Sequence, residues 1–149
     1  MKKLGLIVLL GVAVMMWRYA RIGGEVIFEV KDGMRGAHVA AELRKQGVKA
    51  GLLKIKLWRP FPFDDFKKAA KGIKVLAVLD RAISFGGPGG PVFSEVRSAL
   101  YDVPSRPKIV NYIIGLGGRD VQVENFMDMA KRAAKGKLSE RYEIYGVRG

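Results

Sequence analysis

Glycine and proline fill residues 86–91 (GGPGGP), between an apolar run and a predicted helix. Backbone N–H groups at the start of a helix can cradle phosphate, so this loop is the first candidate for chemistry. Its spacing excludes the two common nucleotide loops: a Walker loop needs lysine where Pro91 stands, and a dinucleotide fingerprint from Gly87 needs glycine where Val92 stands. Pro88 and Pro91 also lack an N–H donor. The loop is therefore predicted to direct the path of the backbone and to allow close packing, and not to bind phosphate.

A second glycine-rich stretch, GLGGRD at residues 115–120, also misses the dinucleotide fingerprint, because Asp120 stands where the third glycine is required. Arg119 is a better candidate for anion binding, since its guanidinium would act together with the positive end of the following helix. The alternative, which we favour, is that Arg119 pairs with a carboxylate such as Asp80 or Asp120.

Cysteine is absent from the chain, and His38 is its one histidine. Disulfides, zinc–thiolate sites, iron–sulfur ligation and cysteine nucleophiles are therefore excluded for this chain. A Ser-His-Asp system or a multi-histidine metal site would lack parts. His38 stands on a predicted helix among alanine and valine, which favours a structural or surface role.

The net charge is +13, from 27 basic and 14 acidic residues, and most of the excess lies in residues 1–75. Such an excess of positive charge could attract nucleic acid, a membrane surface or acidic partners. The basic residues do not cluster, however, and several fall in the last turns of predicted helices, where they offset the helix dipole. Aromatic residues are not interleaved with a basic stripe, so nucleic-acid binding is not expected.

Residues 4–17 form an uninterrupted apolar run that follows two lysines. The run is shorter than the roughly 18 residues of a membrane-spanning helix, and no small-residue cleavage site follows it. Three interpretations stay open for residues 1–23: a membrane anchor, a signal-like segment or a misassigned start. We expect residues 24–149 to form one α/β domain.

Short β-rich runs alternate with helical stretches from residue 25 onward. Strands are predicted at residues 25–30, 51–58, 73–80 and 107–115, and helices at residues 36–47, 63–72, 91–101 and 120–136. Four βα units in succession predict a three-layer α/β/α fold with a mostly parallel open sheet. The loops at residues 59–63, 80–91 and 115–120 then share the carboxyl edge of that sheet, where ligands or partners bind in such folds.

Three motifs in a fixed order are more specific than any single loop: RPFP at residues 59–62, DRAISFG at residues 80–86 and GLGGRDV at residues 115–121. Together they resemble the C-terminal domain of the alpha subunit of pyruvate synthase, a 2-oxoacid:ferredoxin oxidoreductase. The resemblance runs from about Val26 to the end of the chain. It implies the α/β fold of the transketolase C-terminal domain.

The resemblance also implies a structural and assembly role in thiamine-dependent oxidative decarboxylation to acyl-CoA, with no catalysis by this chain alone. Thiamine diphosphate, iron–sulfur clusters and coenzyme A would belong to partner domains or subunits, ferredoxin would accept the electrons, and the complex would be cytoplasmic. We expect no catalytic, cofactor or metal residue here. The candidate interface or anion-binding residues lie at the carboxyl edge: Arg59, Asp80, Arg81, Ser84, Gly115 and Arg119.

Alpha subunits of that family begin with a thiamine-binding domain that this sequence lacks. We therefore expect one piece of a split subunit, a truncated reading frame or a remnant module. An alternative function is a basic binding module attached to a membrane through residues 4–17.

Overall fold

The computed structural model describes residues 26–29, 33–136 and 141–146, with side chains described from residue 37 onward. Five strands and four α-helices alternate along these residues. The strands are β1 (Val26–Glu29), β2 (Ala50–Leu53), β3 (Val75–Asp80), β4 (Lys108–Ile113) and β5 (Glu143–Ile144). The helices are α1 (Gly33–Lys45), α2 (Phe63–Ala70), α3 (Pro91–Ala99) and α4 (Val123–Ala134), with a short 3-10 turn at Leu116–Gly118.

All five strands belong to one sheet in the order β2-β1-β3-β4-β5, and every neighbouring pair is parallel. This confirms the predicted open α/β class. The longest pairing joins β3 to β4 from Val75↔Lys108 to Asp80↔Ile113, so these two strands end side by side. The strand order reverses between β1 and β3, and such a point in an open sheet opens a crevice at the carboxyl edge.

Helices cover both faces of the sheet, as the continuous apolar run of β3 predicts. Ala77 and Leu79 point to the face covered by α1 and α4, and Leu76 and Val78 point to the face covered by α2 and α3. Each face holds its own buried cluster, so the domain has three layers. The α3 helix begins at Pro91, where the missing N–H of proline costs no helical hydrogen bond.

Three predicted boundaries were wrong by three residues or more. The first helix begins at Gly33 rather than at residue 36. The second strand ends at Leu53 rather than at residue 58, and its described pairing with β1 runs from Val26↔Ala50 to Glu29↔Leu53. The last helix begins at Val123, with Gln122 rather than Asp120 as its N-cap, and the Gln122 N–H donates to Asn125 Oδ1 at 2.8 Å. The proposed division at residue 23 and the apolar run at residues 4–17 lie outside the described residues.

The C-terminal segment adds a fifth strand that sequence reasoning missed. Arg132 on α4 donates to both carboxylate oxygens of Glu143 on β5, at 2.6 and 2.7 Å. Tyr145 donates its hydroxyl to Asp128 Oδ2 at 2.9 Å. A strand of two residues has few ladder hydrogen bonds, and these side-chain contacts add to its pairing with β4.

The buried Tyr112 is predicted to make the free energy of unfolding depend on pH. Its side chain is buried and donates to the Met129 carbonyl at 3.3 Å; burial and then the charge of Glu143 raise its pKa to about 12. The unfolded phenol ionises near 10.0, so this stabilising effect is complete below pH 10.0 and is lost as the pH rises through the folded pKa. We expect the free energy of unfolding to fall by about 2–3 kcal/mol between those values.

Urea unfolding at a series of alkaline pH values, with tyrosinate absorbance, measures this effect. Tyr112→Phe should remove most of the slope, whereas Tyr101→Phe, at a tyrosine that is 76% exposed, should leave it unchanged. Equal slopes in all three proteins would contradict the prediction.

Candidate functional site

The carboxyl edge of the sheet carries all six residues that the sequence singled out. Arg59 lies in the loop after β2, Asp80 ends β3, and Arg81 and Ser84 follow it. Gly115 and Arg119 lie in the loop after β4. The loops after β3 and β4 are adjacent, because the Ile114 N–H donates to the Asp80 carbonyl at 2.8 Å. Arg59 pairs with Glu95 on α3 at 3.0 Å.

Asp80 is the buried centre of this edge, with 3% of its surface exposed. Its carboxylate accepts the backbone N–H of Val92 at 3.0 Å and of Phe93 at 3.1 Å, both in the first turn of α3. It therefore satisfies two of the N–H groups that a helix start leaves without an intrahelical partner. Its negative charge also lies at the positive end of the helix dipole.

Asn111, on the neighbouring strand β4, completes the arrangement. Its amide nitrogen donates to Asp80 Oδ2 at 3.0 Å and to the Val78 carbonyl at 3.1 Å. Its amide oxygen accepts the Gly90 N–H at 2.9 Å. Burial raises the pKa of Asp80 above 3.8, while these N–H donors favour the carboxylate and oppose that shift. Among the described residues, every buried polar side-chain atom here has a partner.

The glycine loop packs directly onto this pair. A Cβ on Gly90 would meet the side chain of Asp80 well inside 3.0 Å, and a Cβ on Gly89 would lie 2.6 Å from Asn111 Oδ1. The Ser84 N–H donates to the Gly89 carbonyl, and the Gly87 N–H donates to the Ser84 carbonyl, both at 2.9 Å. The amides that could have cradled phosphate thus hold the protein's own carboxylate, as expected for a loop built for close packing.

Arg119 does not pair with Asp80 or Asp120 as expected. Asp80 binds Asn111 and helix amides rather than Arg119, and Asp120 accepts hydrogen bonds from the Val121 N–H and the Gln122 side chain. The guanidinium of Arg81 lies over Gly115, and that of Arg119 lies beside Gly146. Within the part of the chain that the structure describes, neither arginine forms an ion pair.

Residues 33–126 match the family model described as pyruvate:ferredoxin oxidoreductase core domain II. The chain belongs to this family. It is 44% identical over 112 residues to pyruvate synthase subunit PorA of Thermotoga maritima, and 44% identical over 110 residues to ketoisovalerate oxidoreductase subunit VorA of Pyrococcus abyssi. These alignments cover 74% and 71% of the chain. The chain spans 28% of the length of each of these curated relatives.

A solved structure supports the fold of core domain II. The chain is similar to a structure titled split gene transketolase, inactive beta4 tetramer, with a TM-score of 0.54 and 13% sequence identity. The match covers 75% of this chain and 39% of that one. The predicted family and the transketolase-like fold are thereby confirmed.

Sequence reasoning missed two residues of this core domain II site. Asn111 is a lone amide inside the apolar strand IVNYII, and that contrast was the available signal. Phe85 directly precedes the glycine loop and is fully exposed, so packing inside the domain does not explain a large apolar side chain at this position.

The described residues of core domain II contain no group of three or more His, Asp or Glu side chains placed to hold a metal ion. Nor does any helix among residues 26–29, 33–136 and 141–146 have the length and apolar character to cross a membrane. His38 lies exposed on α1.

Proposed function

We propose that this chain is a structural and assembly module of a pyruvate, or other 2-oxoacid, ferredoxin oxidoreductase. It would support thiamine-dependent oxidative decarboxylation to acyl-CoA without being catalytic alone. The similarity to PorA and VorA subunits supports the enzyme class. The main support for the assembly role is that the Asp80 carboxylate occupies the N-terminus of α3, so the amides there are not free to bind an anionic ligand. The edge instead presents arginine and apolar side chains to the outside.

The cofactors would belong to other domains or subunits of the complex: thiamine diphosphate, iron–sulfur clusters and coenzyme A. This chain has no cysteine and so supplies no thiolate for a cluster. Ferredoxin would accept the electrons, and the complex would work in the cytoplasm. The six edge residues would act in two ways, with Asp80, Ser84 and Gly115 shaping the loops and Arg59, Arg81 and Arg119 facing the partner.

Co-expression tests the proposal. The full chain, produced with the thiamine-binding and cluster-binding chains encoded in the same genome, should co-elute with them as one complex. That complex should reduce ferredoxin when supplied with a 2-oxoacid and coenzyme A, and the chain alone should not. Separate elution of this chain from all of those chains would overturn the assembly role.

A further inference from the structure

Phe85 is held out into solvent by a loop that is itself well fixed. The neighbouring Ser84 takes part in two loop hydrogen bonds through its backbone, and Gly89 and Gly90 are packed against Asn111 and Asp80. Phe85 is fully exposed, whereas other large apolar side chains near this edge are only partly so, Leu116 among them at 43%. An exposed aromatic ring on a fixed support loses little conformational entropy on binding, which is the usual character of an interface anchor.

Two exposed arginines lie on the same edge of the sheet as Phe85. Arg81 lies on the same loop, and Arg119 lies on the adjacent loop beyond Leu116. Both side chains are exposed and have no carboxylate partner among the described residues. Arg59 differs, because Glu95 already neutralises it.

Resting on the proposed function, we propose that Phe85 inserts into an apolar pocket of another oxidoreductase subunit, with carboxylates at the rim of that pocket facing Arg81 and Arg119. A second copy of this chain is a poor two-fold partner for this patch. A two-fold contact would place the same patch against itself, setting arginine against arginine in a chain of net charge +13. An acidic partner gains electrostatic steering at this patch, which a like-charged one would not.

The test measures the dissociation constant between the full chain and its co-purified thiamine- and cluster-bearing chains. Phe85→Ser should raise it by at least about 30-fold, the loss typical of a buried aromatic anchor. Tyr101→Ser is the matched control, because Tyr101 is 76% exposed and follows α3 at the opposite edge of the sheet; its effect should stay within about 2-fold. Both variants should keep the thermal midpoint of the parent chain, since neither ring is buried.

Charge reversal gives a second, independent readout. Arg81→Glu should weaken binding by about 10-fold or more at low ionic strength and by less at high salt, because rim charges act through screened attraction. A salt-independent effect would overturn the carboxylate rim.

The outcomes separate this inference from the proposed function. If the parent chain binds and Phe85→Ser binds equally well, the anchor is wrong and the assembly role stands. If the parent chain binds none of those chains, both fall. Sedimentation showing a self-dimer that Phe85→Ser abolishes, or binding to a single-stranded oligonucleotide that Phe85→Ser abolishes, would also overturn the assignment of an acidic subunit as the occupant.

Discussion

Replacing Asp80 with alanine is expected to lower the free energy of unfolding by about 3–5 kcal/mol. The substitution removes the acceptor for the Val92 and Phe93 N–H groups and for the Asn111 amide, and leaves those donors in a site from which water is largely excluded. It also removes the negative charge at the start of α3. Equilibrium unfolding in urea measures the effect directly.

Asp102→Ala is the matched control for this change, because Asp102 is an exposed aspartate in the turn after α3. Its removal should alter the free energy of unfolding by no more than about 0.5 kcal/mol. Asp80→Asn should fall between the two, since the amide keeps one acceptor oxygen but turns an N–H₂ group toward N–H donors. Equal stabilities of the Asp80→Ala and Asp102→Ala proteins would show that the carboxylate does not hold α3 in place.

Gly90→Ala should be comparably damaging, for a purely steric reason. Gly90 has φ −76° and ψ 164°, which any residue adopts, so its backbone conformation does not require glycine. Its added Cβ would instead collide with Cβ, Cγ and Oδ2 of Asp80. Because the Asp80 Cβ belongs to the strand and cannot rotate away, the loop backbone has to shift. We expect a loss of about 3 kcal/mol or more, measured by urea unfolding.

Gly86→Ala, in the same loop, is the control in which an added Cβ meets no neighbouring atom. Gly86 has φ +66° and open space where a Cβ would stand, so its substitution costs only left-handed strain, about 1–2 kcal/mol. A Gly86→Ala protein less stable than Gly90→Ala would contradict the close packing of the loop onto Asp80. Close packing would then no longer account for the glycine-rich sequence of this loop.

The topology of the fold could be predicted from the sequence because each element carries its own pattern. The buried run of β3, the acids and lysines at the ends of α2, and Pro91 at the start of α3 are local signals, and all three elements are present. The short strand β5 could not be predicted in the same way. Its two residues have no pattern of their own, and its place depends on the distant Arg132 on α4.

The sequence predicted where the site lies in the fold, but not which side chains contact each other there. Parallel strands bring their carboxyl ends to one edge, so the positions of Asp80, Arg81 and Arg119 followed from the order of the elements. The partner of Asp80 did not follow, because Asn111 lies 31 residues away and the pairing depends on the register between β3 and β4. The expected pairing of Arg119 with Asp80 or Asp120 was wrong. The carboxylate of Asp80 accepts hydrogen bonds from helix amides and Asn111, and that of Asp120 accepts them from the Val121 N–H and the Gln122 side chain.

Because the carboxylate of Asp80 binds the amides of α3 within the chain itself, the proposed docking edge reaches its final shape during folding, before any partner arrives. If the amides of the loop were free to bind phosphate, nucleotide binding would order the loop, and assembly would then depend on the nucleotide concentration. Here the ordering is internal, so association with a partner should proceed as the docking of two finished surfaces, with little loss of loop entropy. At matched ionic strength, the module would then assemble equally well with and without phosphate.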